Sequence, residues 1–262
     1  MDRERLEETL GLVRHAAILD ACVDGEPGRA AIAERAGCSR TTAYRSTETL
    51  IERGLLERTN RGYRTTPAGE ALATAAGTLV DSVTAIDRLE PLLAAVDAPT
   101  LSANIHRFVD AGLTVADETD PYRAADRALE LWEETDTVRG VLTAAGSRAA
   151  ITEGTAMALE DGKTVTMCYS PEAIVQKEAL DERGLEVYEG GDRVAAAVLP
   201  DPPFAFTVLD EVVTVVGSDG TTGIPTVLAE STDPGARTWL EKLFDRCLER
   251  ATPIAEWSTP PQ

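Results

Sequence analysis

Two runs of polar side chains carry residue types able to bind a charged ligand. The first is Ser39, Arg40, Thr41, Thr42, Tyr44 and Arg45, with no carboxylate between Arg35 and Glu48. The second is Asn60, Arg61 and Arg64, a little further on. Arginine can pair bidentately with the edge of guanine, and threonine can meet a phosphate or a thymine methyl. The chemistry this suggests is contact with double-stranded DNA. The first run would reach base edges, and the second would hold the neighbouring backbone or minor groove.

Such contacts need elements that hold the side chains. Leu6, Leu10, Val13, Ala17, Ile18 and Leu19 give helical periodicity from about Arg3 to Val23. Asp24 to Gly28 stops that helix. Arg29 to Ala36 reads as a second, short helix with Ile32 and Ala33 inward, and Gly37 supplies a left-handed turn. Ser39 is a good N-cap for a third helix to about Arg53, with Ala43, Thr47, Leu50 and Ile51 on its inner side. Leu55 to Arg58 and Tyr63 to Thr66 read as strands joined at Thr59-Asn60-Arg61-Gly62, where the glycine is expected to tolerate positive φ. Helix, helix, turn, helix and hairpin is the order of a winged helix-turn-helix. The N-terminal part of the third helix then meets the DNA groove.

The charge balance at first argues against that partner. The chain has 262 residues and a formal net charge of −20, with three lysines against 22 arginines. Strongly acidic chains repel nucleic acid. The acidity is unevenly placed, however. Residues 1–66 hold 11 Arg against 11 Asp and Glu, and residues 39–66 hold six Arg against three Glu. Few lysines and many carboxylates resemble the proteins of a salt-loaded, halophilic cytoplasm, where the Debye length falls to about 3 Å. DNA binding there rests little on long-range attraction, so a weakly basic face suffices.

Signals for catalysis are few. The four cysteines, Cys22, Cys38, Cys168 and Cys247, form no C-x-x-C pair, and His15 and His106 add no metal-ligand spacing. They are expected to be reduced thiols. There is neither a G-x-S-x-G nor a phosphate-cradling G-x-x-x-x-G-K. The reading is a non-enzyme with no catalytic residues, no metal and no cofactor. No run of about 18 apolar residues suggests a membrane span. The charged N-terminus lacks a signal-peptide core, so a cytoplasmic location is expected.

Beyond the hairpin, Pro67 opens a long helix to about residue 97. Leu72, Leu79, Ile86 and Leu93 recur every seven residues along it, which predicts a linking helix that pairs with a second copy. Leu101, Ile105, Phe108 and Val109 suggest a further helix before an acidic loop at 117–121. Tyr122 to Glu134 reads as a helix with Ala125, Leu129 and Trp132 inward. The period then changes. Strands are expected at Val138–Thr143, Thr164–Tyr169 and Leu185–Tyr188, with helices at Ser147–Leu159 and Pro171–Leu180 between them. This βαβαβ order implies a parallel sheet. Strands at Val194–Leu199, Phe206–Leu209, Val212–Val216 and Thr226–Ala229 follow. A last helix starts at the Asp233 cap and runs to about Arg250, with Trp239, Leu240, Leu243, Phe244 and Cys247 inward. The proline-rich tail after Thr252 is expected to be ordered only by docking. In open α/β sheets ligands gather at the carboxyl ends of strands. Ser147, Arg148, Tyr169, Ser170 and Phe204 are the candidates for a small-molecule effector pocket there. Ala145-Gly146-Ser147-Arg148 is a possible anion-holding turn, or simply a capped strand-to-helix turn.

Four stretches carry a family resemblance: ERGLLERTNRGYRTTPAGE, VRGVLTAAGS, PPFAFTVLDEVVTVVG and VLAESTDPGARTWLEKLFDRCLE. With them the chain resembles archaeal two-part regulators, in which a winged helix precedes the regulatory domain first named in a methanogenesis regulator. These are related in outline to the TrmB-type regulators. The resemblance implies a Pro-aromatic-x-aliphatic-x-aliphatic-x-Asp stretch, found here from Pro203 through Phe204 and Phe206 to Asp210. It also implies a phospholipase-D-like regulatory domain without the catalytic His-x-Lys. Here His15 precedes Ala16-Ala17, and His106 precedes Arg107-Phe108.

The expected fold class is α+β joined to α/β: a winged helix-turn-helix over 1–66, a linking and dimerisation helix over 67–97, and an α/β regulatory domain over 98–262. The expected function is that of a homodimeric, sequence-specific DNA-binding transcription regulator. A winged helix that binds protein, or one accessory to an enzyme, are the alternatives.

Overall fold

The computed structural model describes residues 2–144, 162–180 and 193–257, the side chains of 176–180 excepted. The chain forms two compact units, Met1–Val83 and Thr84–Gln262. The predicted helix Ser147–Leu159 and strand Leu185–Tyr188 lie outside the described residues.

The first unit begins with α1 (Arg3–Val13) and α2 (Ala16–Asp20). A single helix was expected here, and His15 divides it. Its backbone sits at φ −96° and ψ 1°, its N–H bonds to the Leu12 carbonyl, and its Nδ1 lies 2.9 Å from Ser46 Oγ. The turn admits Ile18 and Leu19 to the core while α1 buries none of its residues. Two helices follow, α3 (Arg29–Arg35) and α4 (Arg40–Glu52), with Gly37 at φ +61° in the turn between them. Ile32, Ala33, Ala43 and Leu50 join Ile18, Leu19, Leu56 and Tyr63 in one small core. Ser46 and Thr47 are also buried on α4, whereas Ile51 is only half-buried, so the inner face is rotated slightly from the expected one. Strands β1 (Leu56–Arg58) and β2 (Tyr63–Thr65) pair antiparallel, with Glu57 opposite Arg64.

Gly62 does not take the positive φ expected of it. Its need is clearance: a Cβ would lie 2.4 Å from the Pro27 carbonyl oxygen and 2.5 Å from that of Glu26. The hairpin therefore packs against the loop before α3, and the Tyr63 N–H donates to the Pro27 carbonyl at 3.1 Å.

The long helix is shorter than its heptads suggest. Helix α5 spans Pro67–Arg88, and α6 (Glu90–Ala95) starts anew with Pro91 in its first turn. Proline has no N–H to continue the helical ladder.

The second unit is built on an eight-stranded sheet. Its strands are β3 (Gly112–Val115), β4 (Thr137–Leu142), β5 (Thr164–Tyr169), β6 (Val194–Val198), β7 (Ala205–Val208), β8 (Val213–Ser218), β9 (Pro225–Ser231) and β10 (Thr252–Pro253), in the order β10-β6-β5-β4-β7-β8-β9-β3. Strands β4, β5 and β6 run parallel, and the other pairings are antiparallel. Side chains alternate between faces along each strand, and each face has its own core. On one, Val141, Cys168, Phe206, Val208 and Val215 meet α10 (Pro234–Arg250) through Leu240, Leu243 and Phe244, together with Leu89, Leu92 and Phe108. On the other, Val165, Met167, Val194 and Val198 meet α8 (Arg123–Glu133) through Ala124 and Leu131, and α9 (Pro171–Leu180) through Ala173 and Ile174. The result is a mixed α and β fold with its sheet covered on both sides.

Two further expectations are corrected. The segment after Thr100 holds a short helix, α7 (Pro99–Ser102), a 3₁₀ turn and then the unforeseen edge strand β3. The inner face of α8 is set by Ala124, Ala128, Leu131 and Trp132 rather than by Ala125 and Leu129. The tail docks as expected, through β10, which pairs with β6.

Candidate nucleic-acid interface

The structure brings the first run of polar residues onto one face. Ser39, Arg40, Thr41, Thr42, Tyr44 and Arg45 are all exposed, while Ala43, Ser46, Thr47 and Leu50 turn inward. The helical period alone separates them. Ser39 Oγ accepts the Thr42 N–H at 3.0 Å and lies 2.8 Å from Thr42 Oγ1. That cap fixes where α4 begins and occupies both hydroxyls. Arg40 and Arg45 have no carboxylate within ion-pair distance among the described residues. In a chain of net charge −20, two unmatched guanidiniums on one helix face have little structural reason to be there.

The hairpin carries Asn60, Arg61 and Arg64, all exposed. Thr59 Oγ1 shapes its tip by accepting the N–H groups of Arg61 at 3.1 Å and Gly62 at 3.0 Å. Arg61 makes no ion pair among the described residues. Arg64 differs: its Nε donates to Glu57 Oε1 at 3.0 Å, and Glu26 lies 3.9 Å from its Nη1. The hydrogen bond it donates to Glu57 holds the Arg64 guanidinium above its ordinary pKa. A phosphate at Arg64 would have to displace Glu57.

Several participants left no trace in the sequence pattern. Arg29, at the start of α3, donates from Nε to Tyr63 Oη at 2.6 Å and from Nη2 to Glu48 Oε1 at 3.1 Å. Its guanidinium carbon lies 4.4 Å from the centre of the Tyr44 ring and 5.6 Å from that of Tyr63. Glu48 also holds Arg58 of β1. One guanidinium thus joins α3, α4 and β2. These partners are 19 and 34 residues away in sequence, beyond the reach of any local pattern.

The proposed effector residues of the second unit are less well placed. Ser147 and Arg148 lie outside the described residues. Ser170 is buried, and its hydroxyl caps α9 by accepting the Ala173 N–H at 3.0 Å while lying 3.2 Å from the Thr143 carbonyl oxygen. Tyr169 is buried in the core beneath α9. Phe204 is also mostly buried, stacked 6.0 Å from Trp239, yet one edge lines an open cavity of about 400 Å³ with Asp97, Thr143, Glu172, Ser218 and Asp219. Asp210, at the end of the Pro203–Asp210 stretch, ties strand ends together. It accepts the Asp136 and Thr137 N–H groups at 2.7 and 3.2 Å, and its own N–H donates to Thr135 Oγ1 at 3.0 Å.

Thiol chemistry is suppressed at three of the four cysteines. Burial pushes Cys22 up to about 11 and Cys168 up to about 12, and raises Cys247 as well. They are protonated near neutrality and poor nucleophiles. Among the described residues no His, Cys, Asp and Glu cluster is arranged to hold a metal ion, and no helix is long and apolar enough to cross a membrane.

Residues 3–88 match the family model of the HVO_A0261 N-terminal domain, and residues 121–250 match that of the middle domain of the methanogenesis regulatory protein FilR1. Together the two matches span most of the chain. The first match covers α1 through α5, and the second runs from just before α8 to the end of α10. No curated protein sequence matches the chain. Among solved structures it is similar to TrmBL2, an archaeal chromatin protein, at 14% identity and a TM-score of 0.41 over 96% of this chain and 100% of that one. It is also similar to NucT from Helicobacter pylori, at 10% identity and 0.42, and to Nuc, a phospholipase D family member from Salmonella typhimurium, at 9% and 0.43. Each of these covers 55% of this chain and 98% of its own. Likenesses this loose say nothing about what the chain binds.

Proposed function

We propose that the chain is a sequence-specific, DNA-binding transcription regulator. In this reading the first unit is a winged helix-turn-helix, α4 enters the major groove and the hairpin is the wing. The observation that carries it is the exposed face of α4, where Arg40 and Arg45 stand without carboxylates beside Thr41 and Tyr44. The match of residues 121–250 to a family model named for a regulatory protein supports the same reading. Arg61 at the hairpin tip supplies a third unmatched cation, placed for the phosphate backbone.

The regulator acts as a homodimer. Leu79, Val80, Val83 and Ile86 of α5 are 45, 58, 52 and 47% exposed. Leu79, Val83 and Ile86 fall on one helical face, and such a stripe is covered when a second copy packs against it. Two heads would then read half-sites about 34 Å apart, or a multiple of that. The second unit serves as the effector-sensing or assembly part. Its open cavity beside Phe204 is the place offered to a small molecule. The chemistry of its carboxylate-rich surface fits a halophilic cytoplasm.

The test is binding to duplexes selected from a random pool, at molar salt, by the wild-type protein and by Arg40→Ala and Arg45→Ala. Loss of a bidentate arginine contact costs about 1–3 kcal/mol. Each variant should therefore bind roughly tenfold to a hundredfold more weakly, with an unchanged melting temperature. Wild-type affinity in both variants would remove α4 from the interface.

A further inference from the structure

The spacing between a recognition helix and a wing decides which two grooves a head can touch at once. In this head backbone contacts and one arginine side chain hold that spacing. Gly62 fits against the Glu26 and Pro27 carbonyls where no Cβ can go, and Tyr63 N–H anchors β2 to Pro27. Those contacts fix the hairpin to the loop before α3. Arg29 carries the position of β2 on to α4, beside the Leu55 N–H bond to the Leu50 carbonyl that ties β1 there. Its Nε–H meets Tyr63 Oη, its Nη2–H meets Glu48, and its flat face covers the Tyr44 ring. Glu48 in turn grips Arg58 of β1. Strand β2 and α4 therefore meet at the Arg29 guanidinium, and β1 joins them through Glu48.

We propose that Arg29 is a positioning residue: it sets the geometry between α4 and the hairpin, orients Tyr44, and so determines the register in which the head meets two neighbouring grooves. The proposal rests on the DNA-binding reading above. Its chemistry requires a planar cation with several donors. A lysine ammonium carries the same charge, but it lacks both the fork geometry and the flat face that spans two rings. Charge alone therefore does not substitute for Arg29. The bond to Tyr63 and the ring stacking are short-range contacts with neutral groups, and they persist at salt concentrations that weaken the exposed Arg29–Glu48 pair.

The experiment uses the full-length protein and a duplex selected from a random pool by the wild-type chain. Binding and hydroxyl-radical footprints are measured for Arg29→Lys, Tyr63→Phe, the double variant and Arg40→Ala. Arg29→Lys should bind at least tenfold more weakly, losing the protection given by the hairpin and keeping that given by α4. Tyr63→Phe, which removes only the acceptor for Nε, should show the same footprint change more weakly. The double variant should be no worse than Arg29→Lys, because both changes break one linkage. Wild-type binding by Arg29→Lys, or losses that simply add in the double variant, would overturn the proposal. If Arg29→Lys fails to fold, Tyr63→Phe decides alone: an unchanged footprint overturns it. Equal binding by Arg40→Ala and wild type points to a different failure, that of the DNA-binding reading itself, and the positioning role falls with it.

Discussion

The two units use their charged side chains in opposite ways. Residues 1–83 hold 11 Arg against 13 Asp and Glu, whereas residues 84–262 hold 11 Arg and three Lys against 32 Asp and Glu. In the second unit the cations described in detail are turned onto the fold. Arg127 grips Glu230 at 2.8 and 3.0 Å, Arg139 covers Phe244 at 4.6 Å and Lys163 is buried. Among the described residues Arg40, Arg45 and Arg61 of the first unit pair with no carboxylate, but neither do Lys242, Arg246 and Arg250 on α10. An unpaired cation alone therefore does not mark function. What sets α4 apart is that its unpaired arginines stand beside exposed Thr41 and Tyr44 in a stretch with no acid between Arg35 and Glu48.

The contrast can be broken at its largest scale through the cores. Phe206 and Phe244 are fully buried in the second unit, and Leu50 belongs to the separate core of the first. Truncating a buried phenylalanine to alanine costs about 3–5 kcal/mol. Phe206→Ala should lower one calorimetric transition sharply and leave a second, belonging to the first unit, in place. A single transition that moves as a whole would show the two units to be one cooperative body.

A smaller effect separates structural cations from functional ones. Lys163 Nζ donates to the Glu133 carbonyl at 2.9 Å and to the Thr135 carbonyl at 2.6 Å, at the carboxyl end of α8. A positive charge is favoured at that end of a helix. Lys163→Met leaves two carbonyls without their donor, a loss of about 1–3 kcal/mol, with DNA affinity unchanged. Arg40→Ala should do the reverse. Denaturant unfolding read beside a binding titration checks both, and a DNA-binding defect in Lys163→Met would blur the distinction.

The sequence made local features legible and left non-local ones obscure. The Ser39 and Asp233 caps, the exposed face of α4 and the strands of the sheet follow from spacing over a few residues. Asp233 accepts the Ala236 N–H at 2.7 Å, as an N-cap should. Strand β3 escaped because four residues at a sheet edge, Gly112 to Val115, show no burial alternation. Gly62 was recognised as necessary for the wrong reason, since sequence does not distinguish a positive φ from a carbonyl 2.4 Å away. Ser170 looked like a ligand group and is an N-cap, because a serine after a strand suits either role. Arg29 looked like ordinary helix surface. Its importance lies in partners brought near only by the fold.

The smallest expected effect concerns Asp210. Its carboxyl is held below the usual carboxylate range, first by the Asp136 N–H and further by Thr135 and Thr137. A depressed carboxylate contributes stability at every pH above its unfolded value of about 3.9, and that contribution is lost as pH falls through the lower, folded value. General protonation of the second unit acts in the other direction, because it relieves repulsion among 32 acids. At molar salt that repulsion is screened over about 3 Å, whereas hydrogen bonds to Asp210 are not. The comparison of wild type with Asp210→Asn should therefore be made at high salt. The wild type should be more stable by about 1 kcal/mol at pH 7, the scale of a hydrogen bond to an exposed group. The gap should narrow below pH 4, and only in the transition of the second unit. A gap that is constant down to pH 2 would mean that Asp210 acts through shape rather than charge, and that the strand ends are tied by its oxygens whether or not they are ionised.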